Sequence, residues 1–303
     1  MDVGERFLQH LSVERRLSSG TVEAYGVSLR LFRDFLSALP DPRSLETADS
    51  DNIRDWMERL MENGKSAAYV NRSLAALRTF YRFCLAGGIL SVDPAHSVSG
   101  PKKPKRLPRF VKDSEMDALA DMMWKGRDDP EGPFDDVRAR TIIYTFYLTG
   151  LRAAELISLD DSMVDFVSRE LKVTGKRDKQ RVVPFGEELE KMLREYIGRR
   201  DAAVSREDDA LFVSGKGKRV TYAQVRKLVK ENLQAVSSLD KCSPHVLRHT
   251  FATAMLNHDA NLESVKKLLG HQSLNTTEVY THTTFELLKK TYGNAHPRAN
   301  PED

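Results

Sequence analysis

Apolar residues recur at helical spacing along the first part of this chain. Phe7, Leu8 and Leu11 form one side of a segment over 2–16, and Val22, Tyr25, Leu29, Phe32 and Leu36 repeat three or four residues apart in the next. Ser18 or Ser19 is placed to cap that second helix, and Pro40 and Pro42 forbid its continuation. A third helix is expected in DSDNIRDWMERLMENG, opened by N-cap residue types and closed by Gly64. Ser66 opens a fourth, in which Tyr69, Leu74, Leu77 and Tyr81 share apolar faces before Gly87 and Gly88 end it. Four helices on short loops predict a small bundle with its own core over 1–100.

The pattern then breaks. PKKPKRLPRFVK, 101–112, is basic without one acid and too rich in proline for a helix, so it reads as an extended strap. It is either a solvated linker or a stretch that follows a nucleic-acid backbone, where each cation displaces counterions. Helical spacing resumes from about Ser114 to Trp124 and from Asp136 to Thr149. ELKVTGKRDKQRVVPF reads as strand, polar turn, strand, and further helices are expected at 187–200, 221–236, 244–257, 261–269 and about 275–280. The fold class is therefore mainly α with a small antiparallel β-sheet, in domains 1–100 and 113–303 joined by the strap.

Composition narrows the classes further. With 303 residues, 40% hydrophobic and 30% charged, the chain suits two soluble globular domains. It has no apolar run of membrane-spanning length and no signal-peptide pattern at its start, so no membrane insertion is expected. Cys84 and Cys242 are the only two cysteines and lie in unrelated segments, which disfavours a disulfide framework and fits a cytoplasmic setting. The net charge of +3 is modest; its concentration in the strap is the informative feature.

SPHVLRHTFA, 243–252, sets two of the eight histidines beside an arginine. Ser243 and Pro244 suit a helix start, which puts His245 in the first turn and Arg248 three residues on, near free backbone N–H groups. His249 invites a zinc reading, but the glutamate of HExxH is missing and no neighbouring cysteine or carboxylate completes a ligand set. A structural cluster and an anion site both stay open for this stretch alone. Three more segments bear on it. Arg152 in FYLTGLRAAELISL sits among apolar residues and needs an anionic partner, with Glu155 the obvious ion-pair candidate. Lys176 sits in the hairpin turn, and His271 and Tyr280 lie in LGHQSLNTTEVYTH, where each alone is an ordinary surface or packing residue.

In combination, TGLRAAEL, TGKRDKQRVVP, HVLRHTFAT and LGHQSLNTTEVYTH resemble, in order and separation, the tyrosine recombinase (phage integrase) family over nearly the entire chain. The compact N-terminal region and the ending AHPRA are similar to the Xer subgroup, which resolves chromosome dimers and so serves chromosome partition and the cell cycle. The resemblance implies an N-terminal four-helix SAM-like DNA-binding domain and an α+β catalytic domain. It implies DNA cutting and rejoining through a 3′-phosphotyrosyl intermediate, without metal, ATP or other cofactor.

Residue by residue, Tyr280 would be the nucleophile. Arg152 and Arg248 would clamp the nonbridging phosphate oxygens, and Lys176 would protonate the leaving 5′-oxygen. His245 would assist proton transfer, His271 would hydrogen-bond the phosphate, Glu155 would support the site, and His249 would stabilise the fold from behind. One departure stands out. Arg177 and Asp178 follow the lysine where the family often has a small residue, so Arg177, Lys179 and Arg181 are rivals for the acid's role.

Duplex DNA would be gripped by Lys65, Asn71 and Arg72, with Ser19, Thr21 and Tyr25 as further candidates, and by Lys102, Lys103, Lys105 and Arg106 of the strap. The implied partners are double-stranded DNA, a homo- or hetero-tetramer on paired sites held together by the C-terminal tail, and an FtsK-type translocase. The competing readings are a mobile-element integrase, a type IB topoisomerase-like nicking and closing activity, and a non-catalytic DNA-binding protein.

Overall fold

The computed structural model describes residues 1–102, 110–124, 134–175, 180–258, 260–270 and 291–296. The chain divides into two compact units, Met1–Arg106 and Leu107–Asp303. Lys103, Lys105, Arg106, Lys176, His271 and Tyr280, and the helix expected at 275–280, lie outside the described residues.

The first unit is the expected bundle: α1 (Val3–Val13), α2 (Ser19–Ser37), α3 (Ser50–Glu62) and α4 (Ala67–Ala86). The spacing of their apolar residues brings Phe7, Leu29, Phe32, Trp56, Leu74, Leu77 and Phe80 into one core. Asp2 with Glu5, and Asp49 with Asn52, form reciprocal capping boxes at α1 and α3, and the Ser66 hydroxyl accepts from the Tyr69 N–H at α4. Ser18 caps α2 by position only, because its hydroxyl bonds that of Thr21 instead of the backbone. The first helix is shorter than the 2–16 expected, and Arg16 beyond it takes a left-handed φ of 47°.

Each described end of the strap is built into its own unit. The Asn71 side-chain amide donates to Pro101 O at 2.8 Å in the first. In the second, Val111 is 1% exposed, and its N–H donates to the Thr250 hydroxyl at 2.9 Å. Residues 110–112 therefore belong to the second unit's structure, not to a solvated linker.

That unit is arranged around α6 (Phe134–Thr149), in which every residue from Arg140 to Thr149 is buried. Buried threonines are tolerated there because Thr141, Thr145 and Thr149 each donate to the carbonyl four residues back. α6 packs on α8 (Glu187–Ala203) and α10 (Pro244–Asn257), and α5 (Asp113–Trp124) packs on α9 (Tyr222–Val236). The sheet holds the two expected strands, β2 (Glu170–Thr174) and β3 (Gln180–Pro184), and a short β1 (Val164–Asp165) that the sequence pattern did not single out. Its order is β1-β2-β3, antiparallel throughout, with Val173 opposite Arg181.

Two glycines bring the helix ends together. Gly150 ends α6 at φ 61° and leads into α7 (Ala153–Ile157); Gly270 ends α11 (Leu262–Leu269) at φ 63°. A Cβ on Gly150 would stand 2.5 Å from the Phe251 ring and 2.9 Å from the Leu269 side chain. From behind, α10 and α11 are backed by residues 291–296, where Tyr292, Ala295 and His296 are buried against Phe251 and its neighbours. Residues 291–296 are thus part of the core of their own unit.

Gly150→Ala combines left-handed strain with an overpacked contact, and is expected to destabilise the second unit by about 2–4 kcal/mol. Chemical denaturation followed through Trp124, with Trp56 replaced by Phe, measures it; an unchanged midpoint would contradict the close approach.

Candidate active site

Arg152 is the N-cap of α7, directly after the Gly150 turn. Its backbone N–H donates to Glu155 Oε2 at 2.7 Å and its Nη1 to Glu155 Oε1 at 2.8 Å, the ion pair anticipated from the apolar setting. Glu155 is only 2% exposed and takes a second guanidinium. Arg181 of β3 donates from Nη1 to Oε1 at 2.5 Å and from Nη2 to Oε2 at 3.0 Å. The carboxylate thus has four donors, two on each oxygen. Burial pushes the Glu155 pKa up, but the hydrogen bonds and charges of Arg181, joined by those of Arg152, outweigh it and hold the group below its ordinary value.

The remaining guanidinium nitrogens converge on the end of α11. Arg181 Nε donates to Leu268 O at 3.2 Å, Arg248 Nη2 to Leu269 O at 2.5 Å, and Arg152 Nη2 to Gly270 O at 3.1 Å. Arg248 Nη1 donates to Gly150 O at 2.5 Å, linking the ends of α6 and α11. Carbonyls at a helix C-terminus lack intrahelical donors and carry the negative end of the dipole, so they are natural partners for cations. Burial, and then the neighbouring Arg152, lower the Arg248 pKa to about 10, which leaves it charged at neutral pH.

The charge balance sets this cluster apart. Elsewhere in the unit, Arg200 and Arg206 face Asp161 and Asp201, while Arg219 faces Asp160 and Asp208. Here two guanidiniums, of Arg152 and Arg181, share the single carboxylate of Glu155. Carbonyl dipoles satisfy donors without cancelling charge, so Arg152, Arg181 and Glu155 together keep a net positive charge, which suits an anionic ester. Arg152 remains 37% exposed on its side chain, open to such a ligand.

His245 lies exposed in the first turn of α10. Partial burial, then the cations Arg248, His249 and Arg152, push its pKa below 6.5, which favours the neutral, proton-accepting ring at pH 7. His249 was expected to pack behind the site but is exposed, because its position on α10 points away from the face that buries Leu247 and Phe251. Among the described residues, no group of three or more His, Cys, Asp or Glu side chains is placed to hold a metal.

Arg181 is the second correction. As a rival for the proton-donating role it would need access to a leaving oxygen, but it is buried and committed to Glu155 and Leu268. The sequence carried a signal for this: in β3, Arg181 alternates with Val183 on the inward face, and a buried cation requires a carboxylate. In the first unit, Lys65 and Arg72 are exposed and both lie over the Tyr69 ring, at 5.5 and 5.2 Å from its centroid. Asn71 is committed differently: its amide nitrogen donates to Ala67 O and Pro101 O, so it serves the chain's own structure. Lys102 is exposed.

A helical unit and an α+β unit with a positively charged arginine cluster define the class. Residues 109–286 match the phage integrase family, and residues 5–88 match the phage integrase N-terminal SAM-like domain. Tyrosine recombinase XerC of Chlorobaculum parvum is 38% identical over 319 residues, covering 97% of this chain and 94% of that protein. Tyrosine recombinase XerC of Staphylococcus aureus is 34% identical, covering 99% and 98%. In fold, the chain is similar to the XerH site-specific recombinase bound to palindromic difH substrate, with a TM-score of 0.72, 22% identity, and 96% and 84% of the two chains covered. The Tn1549 transposon integrase bound to transposon right end DNA gives 0.71 at 17% identity, covering 96% and 99%. The chain belongs to the phage integrase family and is a site-specific tyrosine recombinase of the Xer type.

Because the folded Glu155 pKa is depressed, the cluster's stabilisation is present above its ordinary value of 4.5 and is lost as pH falls through the lower folded value. Glu155→Gln is expected to destabilise the unit by about 3–5 kcal/mol at neutral pH by stranding buried arginine charge, and to flatten that acid-side loss. Urea unfolding at a series of pH values measures both effects.

Proposed function

We propose that the chain exchanges DNA strands at paired target sites to resolve chromosome or plasmid dimers. The observation that carries this reading is the convergence of Arg152 and Arg248 on the carbonyls that end α11, with His245 near enough for both cations to lower its pKa. That end leads in sequence directly into GHQSLNTTEVY. Full-length similarity to recombinases named XerC supports dimer resolution over mobile-element integration.

In the proposed reaction, the Tyr280 oxygen attacks the scissile phosphorus, its proton passing to His245, and the bond to the 5′-oxygen breaks as Lys176 protonates the leaving group. Arg152 and Arg248 neutralise the charge that develops on the nonbridging oxygens, aided by His271. One phosphate ester replaces another, so the step is reversible and needs no external energy source. Rejoining is the same step run with a new 5′-hydroxyl.

Lys65 and Arg72 of the first unit, with Lys102, Lys103, Lys105 and Arg106, are assigned to the DNA backbone, where cations supply sequence-independent affinity. The working assembly is a tetramer on two sites, controlled by an FtsK-type translocase, in the cytoplasm. No helix among the described residues is long and apolar enough to cross a membrane.

Selection from random duplexes would supply the target site, and a nicked version of it would trap the covalent intermediate. Wild type is expected to form a protein–DNA adduct and Tyr280→Phe to form none; an adduct with the Phe variant would remove Tyr280 as nucleophile. Recombination of a two-site plasmid then separates exchange from simple relaxation.

The pH dependence at subsaturating DNA reports groups of the free protein. With the His245 pKa lowered, the acid limb of adduct formation is expected to have its midpoint below 6.5, and His245→Gln is expected to abolish that limb. A midpoint above 6.5 would rule out His245 as the proton acceptor.

A further inference from the structure

We propose that Arg181 is a positioning residue for strand cleavage, fixing Arg152 through Glu155 to the helix end that precedes His271. The inference rests on the reading of Arg152 as a phosphate clamp. It concerns a residue that has no contact with DNA in the proposed reaction, since its guanidinium is buried.

Three elements meet at this side chain. Its own strand, β3, pairs Arg181 with Val173 and Gln180 with Thr174, and the connection between those strands carries Lys176. Its Nη1 and Nη2 hold the two oxygens of Glu155, on the short helix that Arg152 caps. Its Nε holds Leu268 O on α11, and the side chain packs so closely that a Cβ on Gly270 would lie 3.3 Å from its Cδ, Nε and Cζ atoms. The elements leading to Lys176, Arg152 and His271 are therefore locked to one rigid planar group.

Only a guanidinium can do this. Its fork spans both carboxylate oxygens while Nε points elsewhere; a lysine supplies one charge without that fixed geometry. Glu155 would then keep its charge partner but rotate, and Arg152, bound to the same oxygens, would move with it. Displacements on the order of 1 Å at groups that hold the reacting phosphate are costly to rate.

The test uses the full-length protein and the nicked target duplex, with single-turnover adduct formation followed over a range of DNA concentrations. Arg181→Lys is expected to lower the maximal rate about 10–100-fold, with the half-saturating DNA concentration within about twofold of wild type, since the backbone cations that set affinity are untouched. The double variant Arg181→Met/Glu155→Gln removes both members of the buried Arg181–Glu155 pair and is expected to show at least the same loss of maximal rate. A wild-type maximal rate in either folded variant, or a deficit that disappears at saturating DNA, overturns the positioning role while leaving the recombinase reading intact. Failure of wild type itself to form the adduct brings down both.

Discussion

The second unit depends on a single arrangement: the last carbonyls of α11 accept hydrogen bonds from three arginines, two of which share Glu155. A helix C-terminus and a carboxylate are each ordinary partners for a cation. Together they assemble three cations, which would otherwise repel one another, without discharging them. Removing Glu155 leaves the repulsion unopposed; withdrawing the carbonyls leaves buried N–H donors unpaired. The glycines at 150 and 270 follow from the same constraint, since only left-handed turns without a Cβ let α6 and α11 end this close together.

This arrangement also explains why α11 is held on both sides. Val265, Leu268 and Leu269 are buried against Phe251, Met255 and Tyr292, while their main chain faces the arginines. An eight-residue helix is marginal alone and takes its stability from such packing. The segment carrying His271 and Tyr280 follows Gly270 and precedes Thr291, so its flanking described residues are fixed to the arginine cluster at one end and to the apolar cluster at the other.

Helix positions were legible because each amphipathic stripe has one wet face and clear stop signals; α2, α3, α4 and α9 follow their spacing and caps closely. β1 was not legible, since two residues carry no alternation to detect. The pairing of Arg152 with Glu155 was readable because both lie within one helical turn. The inward face of β3 signals a buried Arg181, but its partners were not legible because they are 26 and 87 residues away in sequence. The orientation of His249 was misjudged for a related reason: a two-histidine spacing fixes which turn each occupies, not which side of the helix the tertiary core covers. Asn71 had the polarity of a DNA contact, but its amide is taken up by Pro101 O, thirty residues on.

Charge placement, then, separates Arg200 from the two arginines assigned to the phosphate in the proposed reaction. Arg200 is fully buried like a core residue, yet its cation is answered by Asp161 and Asp201 and it needs nothing from outside. Arg152 and Arg248 are instead oriented by main-chain carbonyls, at Gly270 for the first and at Gly150 and Leu269 for the second. For an enzyme that must bind a phosphodiester and then a more highly charged transition state, that difference is the useful one. In the proposed reaction, orientation fixed in advance by neutral carbonyls avoids reorganisation at the moment of attack, and the cations are in place for the charge that builds as the phosphorus becomes five-coordinate.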